Sequence, residues 1–225
     1  SARVRREAYV GPWLPEPLVD AADPEPGPGD RVALAESLST AFLVLLETLS
    51  PKERAAFLLH DVFAYGYAEV AEIVGESEAY CRQLARRARA RLAERRPRFP
   101  ASPAERERLT ERFLRACLEG DMAALLATLA EDVTVWSDGG GKVLAARKPV
   151  VGREKVARFL LGLMKLAPPD TTFRSAPVNG RPGLVVVVAG RSVEVLSFEV
   201  DGGAIRGIYA VVNPDKLRAV PAFVG

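Results

Sequence analysis

The stretch from Tyr67 to Arg98, YAEVAEIVGESEAYCRQLARRARARLAERRPR, limits the fold more than any other part of this 225-residue chain. Its first half places Val70, Ala71 and Val74 on one side of a short helix. Gly75 then stands where a tight helix-to-helix turn needs a positive φ. Ser77 is an N-cap residue. Behind it Cys81, Leu84, Ala85, Ala88 and Leu92 recur at helical spacing as one apolar stripe. The opposite face of this second helix presents Ala79, Arg82, Gln83, Arg86 and Arg89. Two helices joined in this way form a helix-turn-helix, whose second helix enters the DNA major groove with its N-terminal residues near base edges. DNA contact is therefore expected from Tyr80, Arg82, Gln83, Arg86, Arg87 and Arg89. Arg82, Gln83 and Arg86 should face base edges, and Arg87, Arg89 and Arg91 should face phosphates or solvent.

Charge follows the same segment. From Ala79 to Arg98 eight arginines stand against the single acid Glu94, whereas the preceding 78 residues hold six Lys or Arg against fourteen Asp or Glu. The net charge of +2 thus conceals a basic stretch beside an acidic one. A basic stripe on one helix face is the footprint of phosphate contact. The competing account is a solvated arginine-rich helix, and the register of Ala71, Gly75 and the apolar stripe favours DNA.

The rest of the composition narrows the class. At 48% hydrophobic residues the chain can build two modest cores. No run of 18 apolar residues exists, so no membrane span is encoded, and SARVRREAYV lacks the apolar stretch of a secretory signal. Cys81 and Cys117 read as buried free thiols of a reducing, cytoplasmic setting. One histidine, His60, and no cluster of ligating side chains argue against a metal site, and nothing asks for a cofactor.

Residues 11–30, GPWLPEPLVDAADPEPGPGD, hold six prolines and three glycines and read as an extended linker, with Trp13 and Leu14 as its docking residues. Arg3 to Tyr9 reads as the end of a helix whose body is absent, as in a chain cut from something longer. Val32 to Leu49 reads as a helix with Leu34, Leu38, Phe42, Leu45, Leu46 and Leu49 inward. Ser50-Pro51 with Glu53 writes a capping box for the next helix, through Phe57, Leu58 and Leu59 to about Tyr65. With the helix-turn-helix pair this predicts an all-α four-helix bundle over 32–97, after an N-terminal segment 1–31. A break at Pro97–Pro103 follows.

From 104 to 225 the pattern becomes α+β. Helices are expected at 104–118 and 121–130, a strand at Asp132–Asp138, a glycine turn Gly139–Gly141, and a strand at Val143–Ala146. A helix at Gly152–Leu166 and strands at Thr172–Val178, Leu184–Ala189, Ser192–Val200 and Ala204–Val212 complete the domain. Asn179-Gly180, Gly190-Arg191 and Asp201-Gly202-Gly203 supply hairpin turns. This describes helices on a curled antiparallel sheet, a cone with an apolar interior. Trp136, Phe159, Leu163, Phe173, Phe198 and Tyr209 should line that interior or belong to its core.

Residues 49–92, LSPKERAAFLLHDVFAYGYAEVAEIVGESEAYCRQLARRARARL, resemble region 4 of sigma-70-type transcription initiation factors of the extracytoplasmic-function branch. Glu76 is a small departure, because that turn position is often apolar. The second half resembles the SnoaL-like, nuclear-transport-factor-like cone. Three strings look like group 41 of that branch, which fuses such a cone behind region 4. They are Trp13-Leu14-Pro15-Glu16-Pro17, Asp138-Gly139-Gly140-Gly141-Lys142 and Asn213-Pro214-Asp215-Lys216-Leu217.

The resemblance implies that the chain recruits core RNA polymerase to promoter DNA through the minus-35 element, while the cone regulates it. Those three strings become the candidate interdomain sites. The resemblance also implies that region 2, which melts the minus-10 element, is missing here apart from a trailing helix. The chain by itself should then bind DNA weakly and should not initiate transcription.

Two other readings weigh the cone as an isomerase- or cyclase-type enzyme, or as a small-molecule sensor for a helix-turn-helix regulator. Such chemistry wants a carboxylate or histidine in an apolar pocket. The cone has no histidine, and its candidates are Asp138, Glu194, Glu199 and Tyr209. Asp138 should lie at the rim, and Glu194 and Glu199, of opposite parity, cannot both point inward. Each is better read as a solvated acid, so no catalytic residue is assigned. Lys142 after the glycine triplet lacks the helix and the Ser/Thr of a phosphate loop. That loop suits docking on another surface, and the Asn213–Leu217 segment, ended by proline as a strand, should likewise lie outside the cone. The Pro-rich linker is expected to dock in a groove of the cone near Asp138–Lys142.

Overall fold

The computed structural model describes residues 9–19, 39–93 and 101–221. Residues 3–8 of the expected helix Arg3–Tyr9, the linker beyond residue 19, Leu34, Leu38 and residues 97–100 of the expected break Pro97–Pro103 lie outside the described residues, as do Arg95, Arg96 and Arg98, and Tyr9 itself is not helical. Among the described residues, 42–93 form one compact unit, and 9–19, 39–41 and 101–221 form another.

The smaller unit is helical. Its helices are α1 (Thr40–Glu47, whose first two residues belong to the larger unit), α2 (Pro51–Phe57), α3 (Tyr67–Val74) and α4 (Glu78–Ala93). Ser50 caps α2 with the reciprocal Glu53 box expected from sequence. Beyond Phe57 the helix widens into a π-turn, Leu58–Val62, closed by the Phe63 N–H donating to the Leu58 carbonyl at 3.0 Å. The expected single helix to Tyr65 is therefore two segments, and a left-handed Ala64 ends the run. Leu46, Leu49, Phe57, Ala88 and Leu92 form one apolar cluster, and Ala56, Val70, Cys81, Leu84 and Ala85 form the other.

In the larger unit Ser102-Pro103 with Glu105 repeats the same start signal for α5 (Pro103–Glu119), and left-handed Gly120 ends it. Asp121 caps the short α6 (Met122–Leu126). This helix stops earlier than expected because the chain turns into strand at Leu129. The sheet comprises β1 (Leu129–Asp138), β2 (Val150–Val151), β3 (Thr172–Val178), β4 (Arg181–Val188), β5 (Arg191–Asp201) and β6 (Ala204–Val211), with α7 (Arg153–Leu166) before β3.

Strand order is β2-β1-β6-β5-β4-β3. The expected all-antiparallel sheet is corrected at its centre, where β1 and β6 run parallel. The chain reaches that pairing only after the α7 excursion and the three-hairpin meander, which deliver β6 beside β1. The expected strand at Val143–Ala146 does not form. Gly140 and Gly141 have positive φ, the chain turns with the Lys142 N–H on the Gly139 carbonyl, and pairing resumes only at Val150 and Val151. The middle hairpin turns at Ala189-Gly190 rather than Gly190-Arg191.

One sheet face meets the helices. Val133, Val135, Leu184, Val186, Leu196, Phe198, Ile205 and Ile208 join Leu109, Phe113, Leu125 and Val156 in a single core. Phe159 and Phe173 pack against it as expected, whereas Leu163 is 43% exposed. Trp136 and Tyr209 lie on the opposite face, because strand alternation places them out of phase with Val135 and Ile208. There their rings stack at 4.9 Å, and the Tyr209 hydroxyl donates to Glu199 Oε2 at 3.0 Å.

Candidate functional site

In the helical unit the turn closes as its residues demand. Gly75 takes φ 70°, and its N–H and that of Glu76 both donate to the Ala71 carbonyl. Glu76 carries an ion pair with Lys52 that ties the turn to the start of α2. Ser77 Oγ accepts from the Tyr80 N–H at 3.2 Å. The expected stripe Cys81, Leu84, Ala85, Ala88 and Leu92 is buried throughout.

The outward face of α4 is partly pre-set. His60 stacks on Tyr67 at 3.9 Å, and the Arg82 guanidinium lies 4.6 Å over the same Tyr67 ring while pairing with Glu78. Arg89 donates to both Asp61 oxygens, at 2.7 and 3.1 Å, and to the Tyr67 hydroxyl at 2.9 Å. That carboxylate and hydroxyl raise its pKa further. Arg91 pairs with the Glu53 carboxylate at 3.0 Å. Arg89 and Arg91 are exposed and each is also paired within the unit. Tyr80 is half-buried against the Val70 cluster. Gln83, Arg86 and Arg87 are exposed, and Gln83 and Arg86 make no hydrogen bond or ion pair with the described residues.

The second constellation gathers around Asp138 at the end of β1. Asp138 is fully buried, a correction to the expected rim position. Its Oδ1 accepts from the Tyr9 hydroxyl and from the Gly140 N–H at 3.1 Å. Its Oδ2 accepts from the Leu14 N–H at 2.8 Å and from Lys216 Nζ at 2.7 Å. Four donors satisfy a carboxylate that could not otherwise stay charged away from water.

Lys216 also donates to the Leu14 carbonyl and lies over the Trp13 ring at 4.2 Å and the Tyr9 ring at 5.1 Å. Asn213 Nδ2 donates to the Tyr9 hydroxyl at 2.8 Å, and Asp215 pairs with Lys142. Burial, helped by the Asp138 hydrogen bond, pushes the Tyr9 phenol well above its ordinary pKa.

The glycine triplet has a steric reason. A Cβ on Gly139 would meet Ala145 and the Val143 carbonyl at 2.8 Å, and one on Gly140 would sit 2.3 Å from Asn213 Nδ2. One on Gly141 would press on Val10 at 3.1 Å. Tyr9, Val10 and Leu14 are therefore seated against the Asp138–Lys142 loop, near which the linker was expected to dock, and Tyr9 also against Asn213. Leu14 is 1% exposed, Pro15 and Pro17 are buried, and Trp13 is half-buried. Asn213 and Leu217 are buried as well, Asn213 against Tyr9 of the docked segment.

Sequence reading missed Tyr9, taken only as the tail of a helix, and Leu18, Thr40 and Asn179. Leu18 exchanges two hydrogen bonds with Asn179, and Val19 bridges Val178. No local pattern announces such pairings, since they join residues more than a hundred positions apart.

Both buried thiols, Cys81 and Cys117, are free, and burial pushes Cys117 up to about 12. No group of His, Cys, Asp or Glu that could hold a metal ion occurs among the described residues, and none of their helices is long and apolar enough to cross a membrane.

Residues 39–92 match the family Sigma-70, region 4, and residues 110–214 match the SnoaL-like domain. The chain is 38% identical to the ECF RNA polymerase sigma factor SigJ of Mycobacterium tuberculosis (strain ATCC 25618 / H37Rv), over 98% of this chain and 74% of that protein. It belongs to the extracytoplasmic-function sigma factors. A second member of this family from the same organism, the probable ECF RNA polymerase sigma factor SigI, is 33% identical over all of this chain and 74% of its own length. The crystal structure of the extracytoplasmic-function sigma factor SigJ superposes with a TM-score of 0.79 at 34% identity, covering 98% of this chain and 79% of that one. As in that sigma factor, a helical region 4 precedes a SnoaL-like α+β domain with a mixed sheet.

Proposed function

We propose that this sigma factor reads the minus-35 promoter element through α4 and recruits core RNA polymerase, in the cytoplasm, under regulation by its SnoaL-like domain. Gln83, Arg86 and Arg87 supply the outward face, with Arg82 oriented by Tyr67. The supporting observation is that Arg86 and Gln83 stay exposed without partners among the described residues, while their neighbours Arg82 and Arg89 are held. Pre-orienting flanking arginines lowers the ordering cost of base contact. We further read the helical unit as the four-helix bundle of region 4.

The regulatory reading rests on the linker. Leu14 bonds Asp138 and Lys216, Trp13 lies under the Lys216 ammonium, and Tyr9 joins Asp138 to Asn213, one network beside buried Pro15 that suits a reversible latch. Gly139, Gly140, Gly141 and Lys142, with Pro214, Asp215 and Leu217, shape the seat. The enzyme reading has less support: the sigma-factor relatives are 38% and 33% identical. Asp138 is saturated by protein donors, and Glu199 and Tyr209 hold each other on the outer sheet face. Val133, Leu184, Leu196, Phe198 and Ile208 fill the interior beside Glu194, whose burial corrects its reading as a solvated acid but which has no histidine in this domain to work with, so the interior favours a regulatory body over a small-molecule sensor.

The test is in vitro transcription with core RNA polymerase, comparing the full-length factor with versions ending before Ala104 and before Asn213. Loss of both SnoaL-domain segments should change promoter output while minus-35 dependence remains. Output insensitive to the minus-35 sequence would overturn the reading.

A further inference from the structure

Asn179 looks like ordinary turn chemistry in the sequence, being the first residue of an Asn-Gly hairpin with φ 51°. It is nevertheless 3% exposed and uses three polar groups on residues far from its own hairpin. Its backbone N–H donates to the Leu18 carbonyl at 2.7 Å, and its Oδ1 accepts from the Leu18 N–H at 2.9 Å. Its Nδ2 donates at 2.7 Å to Oγ1 of Thr40, the first residue of α1, and the Ser197 hydroxyl donates to the same oxygen at 2.9 Å. The orientation of the amide is fixed by these partners, because turning it over would set its NH2 against the Leu18 N–H.

The ground beneath this knot is shaped for it. A Cβ on Gly183 would lie 2.5 Å from Val178 Cγ2 and 2.6 Å from the Leu196 carbonyl, so only glycine lets Val178 settle there. Val178 is then placed to bridge Val19. The side chains of Asn179, Thr40 and Ser197 are all buried, so their hydrogen bonds do not compete with water.

We propose that Asn179 is a second anchor of the linker and a positioning residue for promoter-dependent transcription, holding Leu18 and Thr40 together on the SnoaL-like domain. The proposal rests on the regulatory reading of the linker and extends it to a site outside the Trp13, Asp138 and Asn213 strings. Since Asn179 reaches both residues, releasing its amide frees the two ends of the Leu18-to-Thr40 connection at once.

The test uses Asn179→Gly, which keeps the positive φ and removes only the amide, and Asn179→Asp, which keeps an acceptor for Leu18 and can accept from the Thr40 hydroxyl. Thr40→Val removes the shared hydroxyl from outside the hairpin. Hydrogen exchange at the Leu18 amide should accelerate about tenfold or more in Asn179→Gly, with an unchanged melting temperature for the SnoaL-like domain. Transcription by the full-length factor with core polymerase should shift severalfold in Asn179→Gly and Thr40→Val, and stay near wild type in Asn179→Asp. Unchanged exchange and transcription in both Asn179→Gly and Thr40→Val overturn the proposal. Trp13→Ala separates the two ideas. If it alters transcription while those two variants do not, the anchor fails and the linker reading stands. If none of the three alters transcription, the linker reading falls as well.

Discussion

Lys216 places its ammonium 2.7 Å from Asp138 Oδ2, with the Asp138 side chain fully buried and that of Lys216 13% exposed. Neither charge could remain there alone. Removing one partner of a buried ion pair costs about 3–5 kcal/mol, because the other is left uncompensated. Asp138→Ala would also strip the Leu14 and Gly140 N–H groups and the Tyr9 hydroxyl of their acceptor. Its expected effect is release of the segment around Leu14, read as faster proteolysis of the linker. A charge-free pair, Asp138→Asn with Lys216→Met, should be less damaging than the sum of the two single changes, since the two sites share one interaction. Additive losses in that cycle would mean the pair does not hold the linker.

Trp13 and Leu14 contribute unequally to the same seat. Leu14 is 1% exposed, so its side chain gains about 1.5–3 kcal/mol from burial, whereas half-buried Trp13 acts mainly through the Lys216 ammonium above its ring. Leu14→Ala should loosen the linker more than Trp13→Ala in protease sensitivity. Both should change transcription without lowering the melting temperature of region 4. Equal and null effects of the two variants on transcription would remove the latch.

The arginines of α4 should separate by role. Arg86→Ala is expected to cost about 1–3 kcal/mol at the cognate minus-35 site and little elsewhere, if it pairs a guanine. Arg87→Ala should weaken all sequences alike and flatten the salt slope by about one counterion. Arg89→Ala takes a bidentate partner from Asp61 and a donor from Tyr67, and its exposure discounts the loss to about 1 kcal/mol or less. It should therefore show first as a lower melting temperature of region 4. Promoter binding and melting, measured on the three variants together, decide the assignment, which fails if Arg86→Ala binds like wild type.

Region 4 was legible because its signals are local. Gly75, Ser77, the Ser50-Pro51-Glu53 box and the 3.6-residue stripe each state a short-range requirement, and the structure satisfies all of them. The hairpins were legible for the same reason. What the residues could not reveal was partnership at long range. Asp138, read as a rim acid beside a glycine turn, is buried because Tyr9, Leu14 and Lys216 converge on it from both ends of the chain. The parallel pairing of β1 with β6 likewise depends on how the meander returns, which no strand pattern encodes. Trp136 and Tyr209, aromatic and on alternating strands, suit either sheet face. Their phase against the core residues Val135 and Ile208 puts them on the outer one, where they stack on one another and Tyr209 bonds Glu199.

Glu194 makes the stability of the SnoaL-like domain depend on pH. On β5 it has the parity of Leu196 and Phe198, and it sits across from Val186, itself beside Phe173, so its carboxyl is set among apolar neighbours of the inner face. Burial pushes its pKa up to about 7, from an ordinary 4.5. The folded chain therefore holds a proton between those values that the unfolded chain releases. Stability from this group is full below about pH 4.5 and declines as pH rises through 7, because above it folding must bury a carboxylate. At pH 8 the penalty amounts to up to about 3 kcal/mol. Glu194→Gln should thus leave the melting temperature nearly unchanged at pH 4.5 and raise it at pH 8. Some slope should persist in the variant, since burial also raises the pKa of Glu199, against the Tyr209 hydrogen bond. Thermal melts of both proteins across pH 4.5 to 8 provide the comparison. Parallel curves, with the same offset at every pH, would show that Glu194 stays ionised in the folded domain and that its surroundings are wetter than its place on β5 implies.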